Sequence, residues 1–100
     1  MNKKVRTRKV SVNGHIVEVV TVSVFAKIVD RSKDTIFRWE RSGVIPVAPF
    51  TVSKVRCYPL ELCYKVAPII MEWPKNRPPS AEDVVKITRL FNEEIKKYAS

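Results

Sequence analysis

Apolar residues recur at every second position near the start of the chain, first at Val10 and Val12 and again at Val17 and Val19. A two-residue period is that of a strand with one buried face. Between the two runs stands Asn13-Gly14, the pair best suited to a type I′ turn because both positions need positive φ. A two-residue loop there pairs Val12 with His15, Ser11 with Ile16, Val10 with Val17 and Lys9 with Glu18. The four valines then share one face, and Lys9 meets Glu18 on the other.

Beyond Thr21 the period lengthens. Phe25, Ile28 and Val29 lie at i, i+3 and i+4, the stripe of a short helix over about 24–29 that Ser23 can cap. Asp30-Arg31 interrupts the stripe, and Ser32 is placed to cap a second helix from Lys33 to Ser42, with Gly43 as its left-handed exit. Ile36 and Trp39 face the first helix, while Asp34, Phe37, Arg38 and Arg41 occupy the opposite side. Two short helices joined by a tight turn form a helix-turn-helix pattern. Val44 to Phe50 reads as an extended edge segment because of Pro46 and Pro49. Thr51 to Lys54 reads as a turn and Val55 to Tyr58 as a returning strand, so 44–58 is expected as a β-hairpin wing.

Pro59 suits the first turn of a third helix. Its core positions are Leu62, Cys63, Val66, Ile69, Ile70 and Trp73, and Pro68 is expected to kink or break it. Pro74 to Pro79 reads as a stiff linker. Ser80 and Asp83 resemble a capping box for a final helix from Ala81 to about Tyr98. Val84, Ile87, Phe91, Ile95 and Tyr98 line one face of that helix, and Glu82–Lys86 and Glu93–Lys97 are spaced to pair on its surface. The expected organisation is an arm at 1–9, a hairpin plus helical domain at 10–73, a linker at 74–79 and a C-terminal helix at 80–100. The fold class is α+β, mainly α.

Charge changes this picture most. Nineteen Lys and Arg against ten Asp and Glu give a net +9 in 100 residues, a balance that favours polyanionic partners. Residues 1–9 hold Lys3, Lys4, Arg6, Arg8 and Lys9 with no acid. No apolar run approaches the roughly 18 residues of a membrane span, and the basic N-terminus lacks the apolar stretch of a signal peptide. A cytoplasmic, nucleoid-associated location is therefore expected, with no membrane partner. Two cysteines and one histidine offer no metal-ligand spacing. Cys57 and Cys63 are expected as buried structural thiols, and His15 as a hairpin residue. With glycines only at 14 and 43 there is no phosphate-cradling loop, and no nucleophile–base pattern is present. Neither an enzyme nor a cofactor is expected.

In combination and order, Phe25-Ala26-Lys27, Thr35 through Pro46 (TIFRWERSGVIP) and Val55-Arg56-Cys57-Tyr58 resemble the DNA-binding domain of the MerR family and the related excisionase-type winged helices. The similarity covers about 21–73. Phe37 stands where that family usually has Arg, with Arg38 one position later. Val55 stands in place of the wing Tyr, with no Gly before it, and the N-terminal hairpin is an addition. The long family dimerisation helix has a short counterpart, and no effector domain follows, so no small-molecule effector is implied. The resemblance implies a winged helix-turn-helix with the 33–42 helix in the major groove of double-stranded DNA and the wing on flanking backbone or minor groove.

The residues expected at DNA are Lys27, Arg31, Ser32, Lys33, Thr35, Phe37, Arg38, Arg41, Lys54, Arg56 and Tyr58, with Lys3, Lys4, Arg6 and Arg8 in the arm. Arg38 and Arg41 suit guanine edges or phosphates, and the arm suits a minor groove. The stripe of Val84, Ile87, Phe91, Ile95 and Tyr98 on the C-terminal helix suggests a homodimer reading two half-sites. The expected role is a small transcriptional regulator or an architectural excisionase-like factor. The competing expectation is an adaptor holding a protein partner through the winged helix or C-terminal helix, with the added hairpin offering strand edges. RNA binding is permitted by charge but finds no RNP-like strand or KH loop.

Overall fold

A computed structural model describes residues 5–99 and places the alternating segments as β1 (Arg8–Val12) and β2 (His15–Thr21). They pair antiparallel in the register set by the Asn13-Gly14 turn, Val10 opposite Val17 and Lys9 opposite Glu18. Both turn residues have positive φ, 50° and 83°. A second hairpin, β3 (Phe50–Val52) and β4 (Val55–Pro59), turns at Ser53 and Lys54, which also have positive φ. The hairpin is thus shorter than expected. Only Phe50 of the 44–50 segment joins a strand, because the prolines at 46 and 49 keep the rest out of a ladder.

The two hairpins fuse. β2 pairs antiparallel with β4, with Val20 opposite Tyr58 and Thr21 opposite Cys57, so one four-stranded antiparallel sheet runs β1-β2-β4-β3. Four helices complete an α+β fold among the described residues: α1 (Val22–Ile28), α2 (Lys33–Ser42), α3 (Leu60–Ile70) and α4 (Ala81–Lys96). The sheet has two apolar faces. Val20 and Tyr58 join Phe25, Ile36, Leu62, Val66, Ile87 and Phe91 in the main core. Val17, Val19 and Cys57 point the other way, into a small cluster with Val10, Val12, Phe50, Val52 and Tyr98. No helix of the described residues is long and apolar enough to cross a membrane.

The first helix starts earlier than expected. β2 runs directly into α1 at Val22, with Thr21 at the cap position and no side-chain cap bond. Pro68 does not break α3 at once. The helix continues to Ile70 and ends within a turn through Glu72 N–H to Ile69 and Trp73 N–H to Ile70. Asp30 makes the turn between α1 and α2 at φ 59°, a conformation that Asp tolerates better than most residues.

Two buried carboxylates hold the helices to their neighbours. Glu40 of α2 accepts from the Tyr58 hydroxyl at 2.5 Å, the Ala48 N–H at 3.0 Å and the Arg56 guanidinium at 3.0 Å. Glu94 of α4 accepts from the Tyr98 hydroxyl at 2.7 Å, with Lys65 of α3 at 3.2 Å and Lys97 at 3.1 Å. Lys97 also pairs with Glu61. It therefore turns to Glu94 and Glu61, not to Glu93, and Lys86 forms no ion pair with Glu82 among the described residues.

Removing Glu40 leaves a buried hydroxyl, a backbone N–H and a half-exposed guanidinium without their acceptor. Glu40→Ala is expected to destabilise the fold by about 3 kcal/mol, against about 1–2 kcal/mol for Tyr58→Phe, as read by urea unfolding. The pH dependence follows from the tyrosines. Burial first and the Glu40 carboxylate second hold Tyr58 protonated above the ordinary value of 10.0, and burial with Glu94 pushes Tyr98 up to about 12. The unfolded chain loses these protons first. The stabilisation is therefore complete below pH ~10 and is lost as pH rises through the folded values. The urea midpoint should fall steadily above that point, and less steeply in Tyr98→Phe.

Candidate nucleic-acid interface

α2 has the bounds and caps expected of it. The Ser32 hydroxyl accepts from the Thr35 N–H at 3.2 Å, and Gly43 leaves the helix at φ 80°. Ile36 and Trp39 are buried on its inner side, where Trp39 meets Trp73 edge to face at 5.1 Å. Lys33, Asp34, Arg38 and Arg41 are exposed on the outer side. Lys33, Arg38 and Arg41 form no ion pair among the described residues. Phe37 is half-buried and belongs to neither apolar cluster, so it sits as an aromatic among the outward cations.

Two clefts flank the start of α2 and share Asp30, Arg31 and Ser32. One, about 630 Å³, runs between Thr35 and Arg38 on one wall and the 74–79 segment on the other, with Lys75 and Arg77. The second lies between α1 and the end of the arm, with Lys27 and Arg6 on its walls. Sequence reasoning missed Lys75 and Arg77. Their signal was two cations in a Pro-rich stretch, but nothing in the spacing says that the stretch passes beside α2. Lys75 is engaged with Asp30 at 3.7 Å.

Several residues expected at DNA have partners within the fold. Tyr58 is 1% exposed and sealed against Glu40, so its side chain is closed to an outside partner. Arg56 is half-exposed but held by the same carboxylate. Arg31 turns inward. Its guanidinium donates to the carbonyls of Ile70 at 3.0 Å and Trp73 at 2.8 Å, and to Asp30 at 2.9 Å. A cation at the C-terminal end of α3 is where the helix dipole favours one. Ser32 caps α2 and also touches the Thr35 hydroxyl at 2.9 Å, so both side chains serve the helix start.

Lys54 is exposed at the tip of the β3–β4 turn. Arg8 and Lys9 belong to β1, which shortens the expected arm. Arg6 is exposed just before it, and Lys3 and Lys4 lie outside the described residues. The stripe on α4 is largely occupied within the chain. Ile87 and Phe91 are fully buried in the main core, and Tyr98 covers the small cluster against Phe50 and His15. Of the rest of the stripe, Val84 is half-buried and Ile95 is 40% exposed. Cys57 and Cys63 are buried free thiols, each held up in pKa by burial.

No family model, curated protein or solved structure matches the chain.

The division between structural and outward residues is measurable without any ligand. Ser32→Ala should cost about 1 kcal/mol through the lost cap. Arg31→Ala should cost about 2 kcal/mol or more, since it removes the charged donor that ties the α1–α2 turn to the Ile70 and Trp73 carbonyls. Arg38→Ala and Arg41→Ala should stay within about 0.5 kcal/mol of the parent. Thermal or urea unfolding of the four variants reads the order directly.

Proposed function

We propose that the chain binds double-stranded DNA as a winged helix-turn-helix, with α1, the Asp30 turn and α2 as the helical pair and β3–β4 as the wing. The observation that carries this reading is the set of unneutralised cations around α2. Lys33, Arg38 and Arg41 stand on its outer side, Lys27 and Arg6 beside one cleft and Arg77 beside the other, all without an acid partner among the described residues. On α3 and just past α4, Lys65 and Lys97 are drawn to Glu61 and Glu94, while Lys86, Arg89 and Lys96 lie along α4, away from this cluster, with no ion pair among the described residues.

The chemistry suits a duplex. A helix fits the major groove, where an arginine reads the two acceptors of guanine and an apolar group meets the thymine methyl. Arg38 and Arg41 take the first role and Phe37 the second. The hairpin stem is fastened to α2 through Arg56–Glu40 and Tyr58–Glu40. Its tip therefore has a set position relative to the helix, and Lys54 reaches the flanking backbone. The role is that of a small regulator or an architectural factor, without catalysis.

One observation favours a second reading, an adaptor for a protein partner. Ile16 is 70% and Tyr64 52% exposed, and both line one shallow cleft with Leu60. Exposed apolar side chains grouped together mark protein-binding surface more often than DNA-binding surface.

Duplex binding measured by fluorescence anisotropy across salt separates the two. The DNA reading expects log K to fall steeply and linearly with log salt. Arg38→Ala and Arg41→Ala should each cost about 1–3 kcal/mol on the preferred sequence, with Arg38→Ala flattening the preference among sequences. Ile16→Ser with Tyr64→Ser should leave DNA binding unchanged. A chain that binds no duplex at low salt overturns the reading and leaves the adaptor.

A further inference from the structure

We propose that the end of the N-terminal arm and α1 form a clamp on one phosphodiester strand of a DNA duplex, with Arg6 and Lys27 as its two jaws. The inference rests on the duplex-binding reading and goes beyond it by giving the arm a place and a job. A basic arm in front of a DNA-binding domain is ordinarily expected to reach away into a minor groove and read its width. Here the end of the arm, residues 5–7, is held against the fold.

Two contacts hold it, on either side of Arg6. Val5 packs against the main core, and the Thr7 hydroxyl donates to the Glu18 carboxylate at 2.9 Å. Arg6 lies between these fastenings and is exposed. It faces a groove whose other wall is α1, with Ser23 and the exposed Lys27, and whose far end is Ser32. Asp30, the one acid lining the groove among the described residues, is engaged by Lys75 at 3.7 Å. Arg6 and Lys27 have no acidic partner among the described residues.

The shape selects the ligand. Arg6, Ser23, Lys27 and Ser32 are all exposed, so the groove is a surface channel and not an enclosed pocket. A channel with a cation on each wall suits a charged chain that passes through it. Duplex DNA supplies such a chain, with a negative charge about every 1.7 Å of axis over both strands. The channel also meets the cleft beside Arg38 at Asp30, Arg31 and Ser32. A strand leaving the clamp would therefore pass the start of α2. Contacts of this kind set register and affinity and carry no base information.

The test uses the full chain and a 20-bp duplex, with Arg6→Ala, Lys27→Ala, the double variant and Arg38→Ala. Both clamp side chains are exposed, so the alanine variants keep the fold. The clamp expects each single variant to weaken binding about tenfold on every sequence and to lower the magnitude of the salt slope by about one, the double variant by about two. It further expects phosphate-ethylation interference to be lost at the same strand positions in both single variants. If Arg6→Ala leaves affinity and slope unchanged while Arg38→Ala weakens binding, the clamp is wrong and the duplex reading stands. If Arg6→Ala changes the preference among sequences, or its lost interference maps to the other strand from that of Lys27→Ala, the arm lies elsewhere and the clamp is wrong. A parent chain that binds no duplex overturns both.

Discussion

The Glu40 carboxylate is the point on which three separate pieces of chain converge. It belongs to α2, yet its acceptors are filled by the Tyr58 hydroxyl and Arg56 from β4 and by the Ala48 N–H from the connecting segment. The Glu40 side chain is 2% exposed, and a carboxylate so buried is costly unless its lone pairs are bonded. Here the cost is offset only when helix, connector and strand adopt their places together. That condition fixes how the β3–β4 hairpin stands beside α2, and so how Lys54 at the hairpin tip stands relative to the outer side of that helix.

Arg31 and Glu94 do similar work at other joints. Arg31 ties the α1–α2 turn to the end of α3 through carbonyls of Ile70 and Trp73, and Glu94 ties α4 to α3 through Lys65. A chain of this length buries a modest apolar core, and directional polar links fix the relative placement that such a core leaves loosely specified. Burying the polar groups also explains the alkaline sensitivity expected of Tyr58 and Tyr98, since the same contacts that fasten the helices hold those hydroxyls protonated.

Two groups of cations stand apart in what they touch. Arg31, Arg56, Lys65 and Lys97 hold the fold together, each bonded to carbonyls or carboxylates. Arg6, Lys27, Lys33, Arg38, Arg41 and Arg77 gather around α2 and its two clefts with no acidic partner among the described residues. Net charge alone does not separate them, and the proposed interface is drawn from the second group together with Lys54 at the hairpin tip. Substitutions in the first group would change binding by disturbing the scaffold, which is why stability has to be read alongside affinity in every variant.

Local chemistry was legible in the amino-acid order. Asn13-Gly14 determined a hairpin and its register, because positive φ at two adjacent positions leaves one favourable turn. Ser32 and Gly43 determined both ends of α2, because cap and left-handed exit act within a few residues. The inward set of Ile36 and Trp39 and the outward set of Lys33, Arg38 and Arg41 followed from the 3.6 period. What depended on distant residues was not legible. Nothing in the spacing shows that β2 pairs with β4, that Glu40 and Glu94 are buried, or that Arg31, Tyr58 and Arg56 turn to partners within the fold. The α4 stripe reads equally as an interface or a core face until Ile87 and Phe91 are seen among Tyr58 and Val66. The physical reason is the same throughout. Turns, caps and periodicity are decided by neighbours in sequence, whereas the worth of a charge depends on which groups tertiary packing brings within bonding distance.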